Sequence, residues 1–405
     1  MAAAAVINTI TYIEKTVKIF MKIIMYKWKA YNHYDLKRSL EKRGHQVDEI
    51  SGEMANFEED EDFTKRFEKA LSQGKYNLAM SVNYFPLISD ACRKYGICYI
   101  SWCCDSPIST MCNDSIFNDV NKVFTFDKVN QMEFEEMGAP VYYLPLCGAP
   151  DRAEKVIAGA DDLESYDAQV SFVGSMYNKN SYDEVYEHFP DYMKGYFDAA
   201  IKLQTSVYGQ NLLQEVLDGE MLAQLERYFV IAKSPRSFSD LSLIFSTTVL
   251  SYKIAQLERL SLIAEMSKRF PTDVYTDDER EFVLARNKGL ADYWNEAPKI
   301  FNRSRINLNL TLRSIRSGIP LRVWDIMASG GFCITNYQPE IPLYFEEDKD
   351  IVIFRSKEEL FDKTAYYLSH EEERAAIALS GYNKVRKYHD YDSRIDEMAR
   401  YADGL

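Results

Sequence analysis

Along the first 150 residues, short apolar runs alternate with turns and amphipathic stretches in one repeated order. Lys22–Trp28 (KIIMYKW) predicts a strand, Tyr34 to Arg43 a helix stopped by Gly44, and Gln46–Ile50 the next strand. The order recurs as strand Asn77–Asn83, helix Pro86–Tyr95 and strand Ile97–Trp102. It recurs again as strand Lys122–Phe126, helix Lys128–Met137, Gly138 and strand Val141–Pro145. Strands alternating with helices of this length predict a parallel, doubly wound sheet.

Pro150–Asp167 is irregular and acidic and reads as a linker, after which Gln169–Gly174 (QVSFVG) opens a second Rossmann-like half. From Asn180 to Arg269 the pattern is almost wholly helical. Leu212, Leu213, Val216, Leu217, Met221, Leu222 and Leu225 recur at helical spacing, as expected of core packing. The α/β rhythm then resumes with strand Asp273–Thr276, helix Trp294–Asn302 and strand Ile306–Leu312 (INLNLTL). Helix Arg322–Ser329 closes at Gly330-Gly331, strands Phe332–Asn336 and Asp350–Arg355 follow, and three helices run from Lys357 onward. The expected division is an N-terminal Rossmann-like domain over 1–168 and a C-terminal one over 169–390, the latter carrying a helical insert at 180–269. Residues 391–405 form a last helix packed back on the N-domain. Two such halves place a cleft between the carboxyl ends of both sheets, where open α/β sheets bind ligands.

Composition narrows the function. With 48 Lys+Arg against 62 Asp+Glu, a formal net charge of −14 argues against a general nucleic-acid binder. Of seven cysteines, Cys92, Cys98, Cys103, Cys104, Cys112 and Cys147 fall in one stretch without zinc-site spacing, which suits reduced thiols in a cytoplasmic protein. Met1–Ile24 is broken by Glu14, Lys15, Lys18 and Lys22, so it predicts neither a membrane span nor a signal peptide. A Walker loop, a G-x-G-x-x-G after the first strand, an H-E-x-x-H and a G-x-S-x-G are all missing. The five histidines are scattered, so no metal is expected.

Ser317-Gly318-Ile319-Pro320-Leu321-Arg322-Val323-Trp324-Asp325 is the informative segment. A strand ends, a glycine-bearing loop follows, and a helix starts beside proline. The free N–H groups of such a start make a diphosphate cradle, to which Arg322 adds charge. Asp325, one turn on, is placed to accept hydrogen bonds from two ribose hydroxyls. The alternative is an ordinary capped helix with Asp325 exposed.

The longer block INLNLTLRSIRSGIPLRVWDIMASGGFCITNYQPEIPLYF resembles the C-terminal signature of CgeB-like bacterial glycosyltransferases, relatives of the group-1 family with the GT-B fold. SVNYFP (Ser81–Pro86), SWCCDSP (Ser101–Pro107), VFTFD (Val123–Asp127), YLPLC (Tyr143–Cys147) and VSFVGSMY (Val170–Tyr177) resemble that family's upstream blocks in order. The resemblance implies an N-domain that presents the acceptor and a C-domain that holds a nucleotide-diphospho-sugar, with a UDP-sugar favoured. It implies Gly318, Ile319, Pro320 and Leu321 as the phosphate-cradling loop. Asn336 to Glu340 would flank the donor sugar, and Thr276 and Asp277 the base. Group-1 enzymes carry two glutamates eight positions apart; Asp325 falls on the second as a shorter carboxylate, and Ser317 replaces the first.

Gly174 and Ser175 end the first C-domain strand, where small residues let a phosphate approach or simply make a tight turn. Lys179 or Arg316 is a candidate to neutralise the leaving diphosphate, a task a metal-independent GT-B enzyme needs done. Asp105 is a candidate general base for an acceptor hydroxyl, or else a turn and helix cap. His33 is the second candidate base, or a surface histidine beside Tyr31 and Tyr34. Asn83 is a candidate acceptor contact. The expectation is a metal-independent hexosyltransferase acting on a saccharide or protein acceptor, with no resident cofactor, since the nucleotide-sugar would be a substrate. Its rivals are a nucleotide-sugar epimerase of the same fold and a silent nucleotide-sugar-binding protein.

Overall fold

Twelve strands gather into two parallel six-stranded sheets in the computed structural model, which describes residues 20–402 and 405. The first sheet takes β1 (Lys22–Lys27), β2 (Gln46–Ser51), β3 (Leu78–Val82), β4 (Cys98–Trp102), β5 (Asn121–Thr125) and β6 (Val141–Tyr143) in the order β2-β1-β3-β4-β5-β6. The second takes β7 (Ala168–Val173), β8 (Thr272–Tyr275), β9 (Arg286–Asn287), β10 (Ser304–Asn309), β11 (Cys333–Asn336) and β12 (Val352–Phe354) in the order β12-β11-β10-β7-β8-β9. β3 is buried at all five positions, as a central parallel strand covered on both faces must be. The expected α/β class is observed, with two Rossmann-like domains facing one another as in GT-B proteins.

The domains meet closely. Trp102, Phe124, Phe126 and Leu146 of the first share one apolar cluster with Ile319, Trp324 and Met327 of the second. A Cβ on Gly318 would stand 2.6 Å from the Phe126 carbonyl oxygen, and one on Gly148 would stand 2.9 Å from the Trp324 carbonyl oxygen. Only glycine lets the backbones approach this far. The helix Tyr391–Met398 lies on the N-domain, where Lys42 Nζ reaches Asp392 at 2.6 Å and Arg394 Nε donates to the Pro145 carbonyl at 2.9 Å.

Several local expectations change. The stretch after Pro150 starts with a helix, Pro150–Ala158, because proline at its first turn is pre-set for helical φ. Asp60 accepts the Phe63 N–H at 2.8 Å and caps a helix, Glu61–Gly74, whose Phe63, Phe67 and Leu71 recur every fourth residue on the buried face. The insert is less helical than its leucine spacing suggests. Leu213 and Leu217 are buried from a non-helical segment, and a helix begins only at Gly219, after the Asp218 cap. A long helical run then spans Leu241–Arg269 with a π-helical turn at Phe245–Leu250. β10 ends at Asn309, three residues before the expected Leu312, and the chain bends there into the cleft. Among the described residues no helix is long and apolar enough to cross a membrane. Residues 1–19 of the Met1–Ile24 segment lie outside the described residues.

Candidate active site

A cavity of about 480 Å³ opens between the carboxyl ends of β4, β7 and β10. The N-domain contributes Cys104–Ser109, which follow β4. The C-domain contributes Gly174 and Ser175 after β7, Leu310–Leu312 after β10, and Pro320 and Arg322 at the start of helix Leu321–Ala328. The insert closes the third side with Thr247, Thr248 and Tyr252 on its π-helical turn and just beyond it, and with Arg259.

Each wall has a built reason for its shape. Asn83, at φ 64° in the left-handed region, is buried behind Asp105. Its amide donates to Asp105 Oδ2 at 2.7 Å while its Oδ1 accepts the Cys104 N–H at 2.8 Å. Asn83 thus aims the carboxylate rather than facing the cavity itself. Asn336 is likewise buried and accepts the Thr311 N–H at 2.7 Å, which holds the bend after β10. Arg259 is buried and donates to the Ser175 and Leu310 carbonyls, so it ties β7 to β10. Burial lowers its pKa, Tyr177 and Glu258 pull it back up, and nearby Arg322 lowers it again; both guanidinium groups line this cavity. Among the described residues neither makes an ion pair with a carboxylate. Backbone carbonyls satisfy hydrogen bonds of Arg259 but not its charge, and such a pair favours an anion.

Of the residues expected at the site, the cavity brings together Asp105, Gly174, Ser175, Pro320 and Arg322. The others stand elsewhere. His33 is buried with Nε2 2.7 Å from Glu49 Oε1, and burial holds its pKa down against the pull of Glu49. It faces β2 rather than the cavity. Ile319 is buried in the shared apolar cluster, Leu321 packs against it, and Gly318 serves the contact with Phe126. Lys179 is exposed beyond the cavity rim, and Thr276 and Asp277 lie past the end of β8 without lining it.

Arg316, Ser317 and Glu340 form a clasp between the domains. Arg316 pairs with Glu133, and its N–H donates to Asp127 Oδ2 at 2.7 Å. Ser317 Oγ lies 2.8 Å from Asp127 Oδ1 and 2.6 Å from Glu340 Oε1. Glu340 also accepts the Lys128 N–H at 2.8 Å and the Tyr143 hydroxyl at 2.5 Å. Burial raises the Glu340 pKa, and these hydrogen bonds pull it back down. Glu340 and Arg316 are therefore committed across the domain interface rather than to the cavity.

Asp325 is also buried rather than exposed. It accepts the Tyr293 hydroxyl at 2.8 Å, and the Tyr293 ring packs 4.6 Å from Tyr31 of the N-domain, centroid to centroid. Burial pushes its carboxyl up to about 6, although Arg322 and Arg152 pull the other way. Arg259 was missed from sequence, as were Tyr252 and the two threonines. One signal was present: Arg259 is four residues from both Ala255 and Ile263, so a charge interrupts the buried face of its own helix. Among the described residues, no group of three or more His, Cys, Asp or Glu could hold a metal ion.

Residues 259–400 match the family model described as glycosyl transferase-like. No curated protein matches the sequence. Solved structures resemble the whole fold. Sucrose-phosphate synthase (tll1590) from Thermosynechococcus elongatus is 9% identical with TM-score 0.55, over 94% of this chain and 98% of that one. Anabaena Alr3699/HepE, solved in complex with UDP and glucose, is 9% identical with TM-score 0.53, over 95% and 100%. The N-terminal domain of Candida albicans trehalose-6-phosphate phosphatase is 8% identical with TM-score 0.53, over 96% and 98%. At these identities the likeness establishes the GT-B fold.

Proposed function

We propose that the chain is a cytoplasmic, metal-independent hexosyltransferase with no resident cofactor, of the CgeB-like kind. It would move a sugar from a nucleotide-diphospho-sugar, by preference a UDP-sugar, to a hydroxyl of a saccharide or protein. The observation that carries this reading is the pair of guanidinium groups, Arg259 and Arg322, without a carboxylate partner at a cavity that Asp105 faces from the other domain. The family match over 259–400 supports it, as does the solution of a protein of the same fold with UDP and glucose.

In this reading the diphosphate lies against the start of helix Leu321–Ala328, between Arg322 and Arg259, which receive its charge as the sugar–phosphate bond breaks. The acceptor hydroxyl attacks the anomeric carbon and gives its proton to Asp105, which Asn83 keeps in position. The ribose hydroxyls displace the Tyr293 phenol as the hydrogen-bond partner of Asp325.

Thermal unfolding with UDP, GDP, dTDP and CMP and with their sugars is the test. The correct nucleotide, at a hundred times its Kd, stabilises the protein by about 2.7 kcal/mol. Released nucleotide together with a glycosylated acceptor supports transfer. An epimerised sugar would assign the epimerase instead, binding without turnover would assign a silent binder, and a panel without any stabilising nucleotide would refute the donor site.

A further inference from the structure

The opposite end of the C-domain sheet carries a second hollow, of about 600 Å³, at the amino ends of β7 and β10. Ala168 and Ser304 border it, whereas Val173 and Asn309, at the other ends of these strands, border or line the cleft cavity. Six-residue strands separate the two by roughly 17–20 Å. Four arginines line this hollow, Arg286, Arg303, Arg305 and Arg374, in a chain whose formal net charge is −14. Among the described residues, Asp167 is the one carboxylate in the lining.

Two of the arginines are half-committed. Arg303 Nε reaches Asp167 at 2.6 Å and Arg286 Nε reaches Asp273 at 2.5 Å. Among the described residues, the Nη groups of both have no hydrogen-bond partner. Arg305 makes neither an ion pair nor a side-chain hydrogen bond among those residues. Arg374 is the anchor. Its side chain is 9% exposed, Nη1 donates to the Tyr367 carbonyl at 2.7 Å, and Nη2 lies 3.9 Å from Glu371 Oε1. Burial lowers its pKa, and the charge of Arg305 lowers it further despite Glu371. A buried guanidinium beside a like charge is costly unless an anion completes the arrangement.

We infer that this hollow is a second anion site that takes a small phosphate-bearing molecule, distinct from the donor cleft. Planar forks converging from three chain segments suit a tetrahedral anion contacted by paired N–H groups. The volume suits a small ligand, since such sites span about 300–1,000 Å³. The small side chains of Ala375 and Ala378 leave that room on its helix-lined side.

Calorimetric titration of the full chain with inorganic pyrophosphate, in low-salt buffer free of phosphate, tests the assignment. The expected result is a binding event that Arg322→Ala leaves in place and that Arg305→Gln/Arg374→Gln weakens at least about tenfold. Arg227→Gln, at an exposed arginine of the insert, controls for net charge and leaves that event unchanged. Should the double variant fail to fold, Arg305→Gln alone must weaken the event at least about threefold, a smaller loss because one exposed fork is removed. Inorganic phosphate and glucose 6-phosphate then separate the sources. Tighter binding of the ester assigns a phosphorylated sugar-like ligand, and equal binding assigns free phosphate. The assignment is overturned by a titration that the arginine substitutions leave unchanged, by equal loss in Arg227→Gln, by loss of all binding in Arg322→Ala, or by binding of duplex DNA or anionic vesicles without any small phosphate.

Discussion

The clasp and the cavity both join the two domains at the carboxyl ends of their strands, and both bury charged side chains. In the clasp each charge has partners within the chain. Arg316 meets Glu133, Asp127 accepts from the 316 and 317 backbone, and Glu340 lies against Ser317, Lys128 N and Tyr143. In the cavity Arg259 donates to two carbonyls and lies over the Tyr177 ring, and neither it nor Arg322 makes an ion pair with a carboxylate among the described residues. A satisfied polar cluster holds a fold together, whereas an unsatisfied one in a hollow is an invitation to a ligand. The contrast gives holding to the clasp and, in the proposed reading, binding to the cavity, and substitutions on either side should separate the two tasks.

The sharpest break is at Asp105. Asp105→Asn keeps the shape and the Asn83 contact but cannot accept the acceptor's proton. Its kcat should fall by about 10²–10⁴, the range for a lost general base, with donor binding and unfolding midpoint unchanged. A variant that retains full kcat would leave Asp105 a turn residue.

Next comes Arg322→Ala, which should weaken nucleoside diphosphate binding by about 1.5–3 kcal/mol, as for a charge-assisted hydrogen bond. Calorimetry reads the affinity, and urea unfolding checks that stability holds. Tyr143→Phe is the matching change in the clasp. It removes one donor from the buried Glu340 carboxylate, so stability should drop by about 1–2 kcal/mol while nucleotide affinity stays put. If Tyr143→Phe weakens the nucleotide and spares stability, the division of labour between clasp and cavity is wrong.

The sequence made the architecture legible because strand and helix periods are local signals. β3, β4, β7 and β11 lie within two residues of their expected bounds. The site was legible only where a residue follows directly on a strand end or opens a helix, as Asp105, Gly174, Ser175 and Arg322 do. At Gly318 and Ile319 the contact with the N-domain was not legible, since its close approach, a long-range fact, decides what their side-chain positions touch. For the same reason Glu340 and Arg316 read as donor ligands: their partners Tyr143 and Glu133 lie about two hundred residues away in sequence. The helix at Glu61–Gly74 carries the same local signal, since Phe63, Phe67 and Leu71 recur every fourth residue on its buried face.

Asp325 falls between the two classes and gives the smallest but most discriminating test. It is buried like the clasp carboxylates, yet Tyr293 is its one side-chain hydrogen-bond donor among the described residues. Its pKa is raised to about 6 from 3.8, so the native state holds the proton more tightly than the unfolded chain does. The stability tied to that proton is fully present below pH 4 and is lost as pH rises through 6. At pH 8 the protein therefore carries a destabilising buried carboxylate. Asp325→Asn removes the charge and still accepts from Tyr293. The rise from 3.8 to about 6 sets an upper bound of about 3 kcal/mol at pH 8, and the amide's own burial leaves a gain of about 1 kcal/mol there. Urea unfolding should show Asp325→Asn more stable than the parent at pH 8 and less stable than it, by up to about 2 kcal/mol, at pH 4, where the parent carboxyl is protonated and the amide's burial cost stands alone. The same variant should bind the nucleotide more weakly, because ribose hydroxyls donate better to a carboxylate than to an amide. A gain in stability with unchanged nucleotide affinity would move Asp325 to the holding side of the comparison, and loss of both would mean that its charge is needed by the fold.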